Sequence, residues 1–128
     1  MSDLLLDSSV VVDYLRGRTQ AVDYLDVIKR SEVPMTHVVV VAEVIRGARD
    51  RRELASIQAT LAPFKVVAPD ESDAISSVDL LLRFCLSHGI GWPDCLIAAT
   101  ALRLGVGVVT LNVKHFAPIP NLRVVRPY

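Results

Sequence analysis

Cysteine is scarce in this chain, with only Cys85 and Cys95 present, no CxxC spacing and no histidine pair at zinc-finger distance. That excludes a disulfide framework and a metal knuckle, and leaves two reduced core thiols as the expectation. Net charge is lacking too: 14 basic residues balance 14 acidic ones. A globally basic nucleic-acid binder is therefore excluded, and contact with a polyanion has to come from a local patch. Long apolar runs are also missing. Even VVVVAEVI is interrupted by Glu43, short of the roughly 18–20 residues that span a bilayer. MSDLLLDSS has neither the basic start nor the small-residue cleavage site of a secretory signal. These absences predict a cytoplasmic location and no membrane partner. No internal repeat, low-complexity stretch or linker interrupts the chain.

What is present is a globular composition, 52% hydrophobic and 22% charged over 128 residues, enough for one domain spanning 1–128 and too little for two. Short apolar runs alternate with helical periods. LLLD (4–7) reads as a buried strand, and Ser8-Ser9 as the cap of a helix through VVVDYLRG. Thr19 is the expected cap of a second helix, AVDYLDVIKR, and VPMT follows as a strand. HVVVVAEVIRGAR suits either state, its valines favouring a strand and the placement of Val40, Glu43, Ile45 and Gly47 a helix; we read a helix starting near His37. RRELASIQATLAPF is a helix ending at Pro63, and KVVA a strand. From Asp70 to His88 the positions Ala74, Ile75, Val78, Leu81, Leu82 and Cys85 predict a broad buried helix face, stopped by Gly89. Pro93 opens the next helix, Gly105 closes it, and VGVVTL and LRVVRP are strands. Strands separated by helices imply βαβ crossovers, hence an α/β fold with a mostly parallel sheet and helices on both faces.

In such a sheet ligands bind beyond the carboxyl ends of the strands. Asp7 ends the first strand, Asp94 opens a later helix, and Thr110 and Asn112 end the strand that this helix feeds. Glu43 joins them if its segment is a helix packed against the first strand. Each acid has an ordinary explanation: Asp94 complements a helix dipole, Asp7 caps a helix, Glu43 pairs with Arg46 or Arg16. Together they fit a shared cation better, because clustered carboxylates repel unless neutralised, and hard oxygen donors select Mg²⁺ or Mn²⁺.

The stretches LLLDSSVVVDYLRG, AEVIRG, DCLIAATAL and VVTLNVKHF, in that order and followed by LRVVRPY, closely resemble PIN-domain ribonucleases of the VapC toxin type, over essentially the whole chain. The resemblance implies a metal-dependent ribonuclease in which Asp7, Glu43 and Asp94 hold the catalytic Mg²⁺ or Mn²⁺, Thr110 matches the family's hydroxyl residue after the next strand, and Ser8 its hydroxyl position after the first acid. Asn112 departs from it, standing where many members carry a fourth acid; its carbonyl can still serve a metal or its water, but it brings no charge. The resemblance further implies an RNA substrate, a cognate VapB-type antitoxin that covers the active site, and a homodimer. The dimer surface is expected on the second and third helical regions.

Several further residues are candidates for gripping RNA. Arg16 and Arg46 lie near the proposed site elements and are expected to contact phosphates, whereas Arg51 and Arg52 read as a solvated face. Trp92, just before Asp94, can stack on an exposed base or simply pack. His115 is expected to be structural. Two other functions compete: a phospho-acceptor receiver-like module, disfavoured because DSS offers no adjacent acid and KVVAPDE places Asp70 poorly, and a non-catalytic PIN-like assembly domain, disfavoured by the intact acids.

Overall fold

The computed structural model describes residues 3–128. β1 (Leu4–Leu6) leads into α1 (Ser8–Leu15) and α2 (Thr19–Lys29), and β2 (Met35–His37) into α3 (Val38–Arg46) and α4 (Arg51–Leu61). β3 (Lys65–Val67) precedes the long α5 (Glu71–His88) and α6 (Trp92–Leu104). β4 (Gly107–Val109), a short α7 (Val113–Phe116) and β5 (Val124–Val125) complete the chain. The strands form one sheet in the order β3-β2-β1-β4-β5, and every neighbouring pair is parallel.

Successive residues of a strand point to opposite faces, so a strand with consecutive buried residues is covered on both. Leu5, Leu6, Met35, Thr36, His37, Val108 and Val109 are each at most 3% exposed. This is the α/β fold the sequence predicts, with a wholly parallel sheet. The strand order also locates a crevice. The chain lays β2 and β3 on one side of β1, then returns to place β4 on the other, so β1 and β4 flank the topological switch point. Asp7 follows β1 and Thr110 follows β4. Glycine lets β4 sit close to both neighbours: a Cβ at Gly107 would lie 2.9 Å from Nε and 3.1 Å from the carbonyl oxygen of Arg123, just before β5, and 3.2 Å from Leu4 Cδ2 on β1. No helix among the described residues is long and apolar enough to cross a membrane.

The expected helix starts need correction. Ser8 and Ser9 lie inside α1; its N-cap is Asp7, which makes no side-chain capping bond. Thr19 is the first residue of α2 after the N-cap Arg18, and also caps nothing. The valine run after β2 does become a helix, because the His37 side chain takes over the start: its Nδ1 accepts the Val39 N–H at 3.0 Å.

α5 departs further from expectation. Ile75, Val78 and Leu82, predicted to be buried, are 67%, 50% and 77% exposed, while Asp73, Ser77 and Leu80 point inward. The inward polar groups are satisfied by α6. Thr100 Oγ1 donates to Asp73 Oδ2 (2.9 Å), Arg103 Nε donates to Asp73 Oδ1 (2.9 Å), and the Trp92 indole N–H donates to Ser77 Oγ (2.8 Å). His37 Nε2 completes the chain against Thr100 Oγ1 at 3.0 Å. Because Nδ1 accepts, the proton sits on Nε2, and His37 is a neutral donor to Thr100.

Burial pushes the His37 pKa from 6.5 down to about 4, against a weaker upward pull from Asp73. A depressed histidine pKa means the unfolded chain binds the extra proton first. The stabilisation is full above the unfolded value, declines as pH falls, and is lost below about 4. From this group alone the loss amounts to about 3 kcal/mol. Urea unfolding followed between about pH 7 and pH 4 should show that decline, and His37→Asn, which can cap without titrating, should flatten it. An equally steep decline in the variant would assign the acid sensitivity to other groups.

Candidate metal and phosphodiester site

Asp7 is held at the N-cap of α1 with 1% exposure. Its carboxylate is anchored on one side only. Thr110 Oγ1 donates to Oδ2 at 2.8 Å, and Ser9 Oγ lies 3.4 Å from the same oxygen. Ser9 in turn accepts the Leu111 N–H at 3.0 Å, and Thr110 Oγ1 accepts the Asn112 N–H at 2.9 Å. The loop after β4 is thereby stitched to the start of α1, with Asp7 at the seam. The other carboxylate oxygen, Oδ1, is buried without a hydrogen-bond partner. A buried unpaired carboxylate oxygen is costly in a fold that satisfies its polar groups elsewhere. Simple helix capping is thus no explanation for Asp7.

Glu43 comes from α3 and Asp94 from the first turn of α6. Their charges sense one another. Although Glu43 is an exposed residue of α3, partial desolvation first, then the negative charges of Asp7 and Asp94, raises its pKa, opposed by a hydrogen bond with the Ser8 side chain. Burial first, then Asp7, raises that of Asp94, opposed by His115. His115 Nδ1 lies 3.0 Å from Asp94 Oδ2. Apart from His115, no basic side chain among the described residues ion-pairs with the three acids; Arg16 and Arg46 do not neutralise Glu43.

The structure therefore joins Thr110 to Asp7 by a hydrogen bond and brings Asp7, Glu43 and Asp94 near enough for their charges to interact. Asn112 joins Thr110 by its backbone, with an exposed side chain. Ser8 turns to Glu43. Arg16 shares a groove with Glu43, together with Val12, Leu15, Val44 and Ile57. Arg46 is exposed at the end of α3. Trp92 is fixed by its indole N–H to Ser77 on α5 and is 48% exposed. Two residues go beyond the sequence reading. Ser9 has the same signal as Ser8 and is separated from it only by which side of α1 each occupies. His115, expected to be structural, touches a site acid because the short α7 turns it towards α6.

Among the described residues no group of three or more His, Cys, Asp or Glu side chains stands close enough together to hold a metal ion as the side chains are placed. The donor chemistry nonetheless fits a hard divalent cation: carboxylate and hydroxyl oxygens, an orphaned buried oxygen on Asp7, and two further acids whose charges it disfavours.

The PIN domain family matches this chain over residues 4–120. The chain is 40% identical over 124 residues to Ribonuclease VapC10 of Mycobacterium tuberculosis, covering 94% of this chain and 90% of that protein. It is 34% identical over 121 residues to Ribonuclease VapC19 of the same organism, covering 93% and 96%. Among solved structures, a toxin-antitoxin complex from Klebsiella pneumoniae superposes with a TM-score of 0.80 at 28% identity, covering 99% of this chain and 98% of the other. Sheet order, the acids at the switch point and near full-length relatives agree: this chain belongs to the PIN domain family, in its VapC branch.

Proposed function

We propose that this protein is a divalent-metal-dependent ribonuclease toxin that hydrolyses RNA phosphodiesters in the cytoplasm and is held inactive by a VapB-type antitoxin. The observation that carries the reading is the convergence of Asp7, Glu43 and Asp94 from three separate elements, with one Asp7 oxygen buried and unpaired. Two relatives bear the name ribonuclease. Asp7, Glu43 and Asp94 would hold Mg²⁺ or Mn²⁺, which supplies Lewis-acid activation of water and neutralises charge on the phosphoryl group.

The protein's own groups do the rest. Thr110 and Ser9 fix Asp7, so that acid is oriented before substrate arrives, and Ser8 lies beside Glu43. Arg16 and Arg46 offer charge to the flanking phosphates of a chain with no net charge of its own. The open face of Trp92, its edge tied to Ser77, offers a stacking surface for an unpaired base. Asn112 leaves the fourth acidic position uncharged, which favours one tightly held ion over two.

The antitoxin reading draws on neighbours that are toxin-antitoxin assemblies, among them the Klebsiella pneumoniae complex. The groove of Val12, Leu15, Val44 and Ile57 suits an apolar partner segment, and its border at Glu43 suits a cationic side chain entering the acids. A homodimer belongs to the same reading, with its surface moved from the second and third helical regions to α5, where exposed Ile75, Val78, Leu82 and Leu86 form a stripe that a second copy can cover.

The test is cleavage of a labelled total-RNA pool by antitoxin-free protein. Cutting is expected with Mg²⁺ or Mn²⁺ and should vanish with EDTA and return on readdition of metal. Cutting that survives EDTA would overturn the metal assignment; no cutting by folded protein with either ion would overturn the ribonuclease.

A further inference from the structure

α7 is only one turn long, yet it decides which residue meets Asp94 from the side of the fourth acidic position. Its N-cap is Asn112, whose carbonyl accepts the His115 N–H at 3.1 Å. One turn on, the His115 ring reaches across to α6 and places Nδ1 3.0 Å from Asp94 Oδ2. The contact is half-sheltered, with the two side chains 39% and 21% exposed. It is held from behind. Phe116, the next residue, is fully buried in the core, so α7 cannot rotate freely and His115 is kept on the Asp94 side.

Resting on the metal-site reading above, we infer that His115 is a positioning residue for the metal site: its Nδ1–H holds one Asp94 oxygen and thereby presents the other to the cation. Asp94 needs such a hold more than Asp7 does. Asp7 is gripped by Thr110 and Ser9 and is almost fully buried, whereas Asp94 has only the His115 contact as a side-chain partner among the described residues. An acidic side chain at Asn112 would have added charge to the cluster; this chain has instead a neutral cap and, three residues later, an imidazole that orients an existing charge. Outer-shell partners of this kind set the direction and basicity of metal ligands.

The test compares two substitutions in the full chain. His115→Phe keeps a ring but removes the donor, and His115→Asn keeps an N–H donor near the Nδ1 position. Mn²⁺ binding is measured by isothermal titration calorimetry without RNA, with circular dichroism melts as the control for folding. His115→Phe is expected to bind Mn²⁺ about tenfold or more weakly, and His115→Asn to recover most of that loss. If the phenyl ring prevents folding, His115→Ala serves the same comparison. Wild-type affinity in the donor-free variant overturns the inference, and so does an equal loss in the Asn variant, since the donor would then not matter. Failure of the wild-type protein itself to bind Mn²⁺ would overturn the metal-site reading and the inference with it, which separates the two.

Discussion

Asp94→Asn should abolish metal-dependent RNA cleavage, by about a thousandfold or more, while leaving the fold intact. The substitution is close to isosteric, and its amide oxygen can still accept the His115 Nδ1–H, so the start of α6 is undisturbed. Only the charge is removed. Asp7→Asn should be equally inactive but should differ in stability. The wild-type carboxylate is 1% exposed, has an oxygen without a partner, and raises the pKa of both Glu43 and Asp94 by its charge. An amide keeps an acceptor for Thr110 and removes the negative charge that both other acids feel. Removing that repulsion should stabilise the metal-free protein by about 1–3 kcal/mol, read as a melting temperature raised by several degrees. Activity and stability would then move in opposite directions at one residue, as expected where binding chemistry is bought with a strained cluster. An active Asp94→Asn variant would remove the residue from the mechanism; a destabilised Asp7→Asn variant would show that its carboxylate is paired in solution.

The elements that carry the acids were legible because their signals are local. Gly89 and Gly105 are left-handed helix ends, Pro93 lies in a first turn, and the short valine-rich runs form the buried strands. Asp7, Asp94 and Thr110 follow directly from those boundaries, since strand ends and helix starts define the ligand-binding edge. The misreadings arise where a partner lies far along the chain. Counting apolar positions turns α5 towards Ile75, Val78 and Leu82. The fold turns it towards Asp73 and Ser77, whose hydrogen-bond partners Thr100, Arg103 and Trp92 sit on α6. Nothing near Asp73 in sequence announces a buried carboxylate. Likewise Ser8 and Ser9 are indistinguishable until α1 exists, when one faces Glu43 and the other faces Asp7 and Thr110. The reach of His115 depends on a helix of four residues, below the length at which periodicity gives a signal.

Asp73→Ala should produce the opposite pattern to Asp94→Asn: a large loss of stability with the chemistry retained. The Asp73 carboxylate is 2% exposed and accepts from Thr100, from Arg103 and, at 3.1 Å, from the Asp70 N–H of its own capping box. Truncation removes all of these and half of the α5 cap. The neighbours are not equally stranded. Thr100 can turn to the Leu96 carbonyl at 3.1 Å, and Arg103 keeps Asp70 at 3.0 Å. The expected cost is therefore about 3 kcal/mol, at the lower end for a broken buried ion pair, lowering the melting temperature by about 10 °C. Asp73→Asn should fall between the two, since it restores acceptors without charge. The network joins His37, which caps the helix of Glu43, to Thr100 on the helix of Asp94, so its members support both acid-bearing helices. Well below its melting temperature the Asp73→Ala protein should accordingly still cut RNA with Mn²⁺ at close to the wild-type rate. A variant that melts like wild type would show that the buried pair contributes little; one that stays folded but has lost cleavage would place Asp73 in the working site and require α5 to reach the substrate.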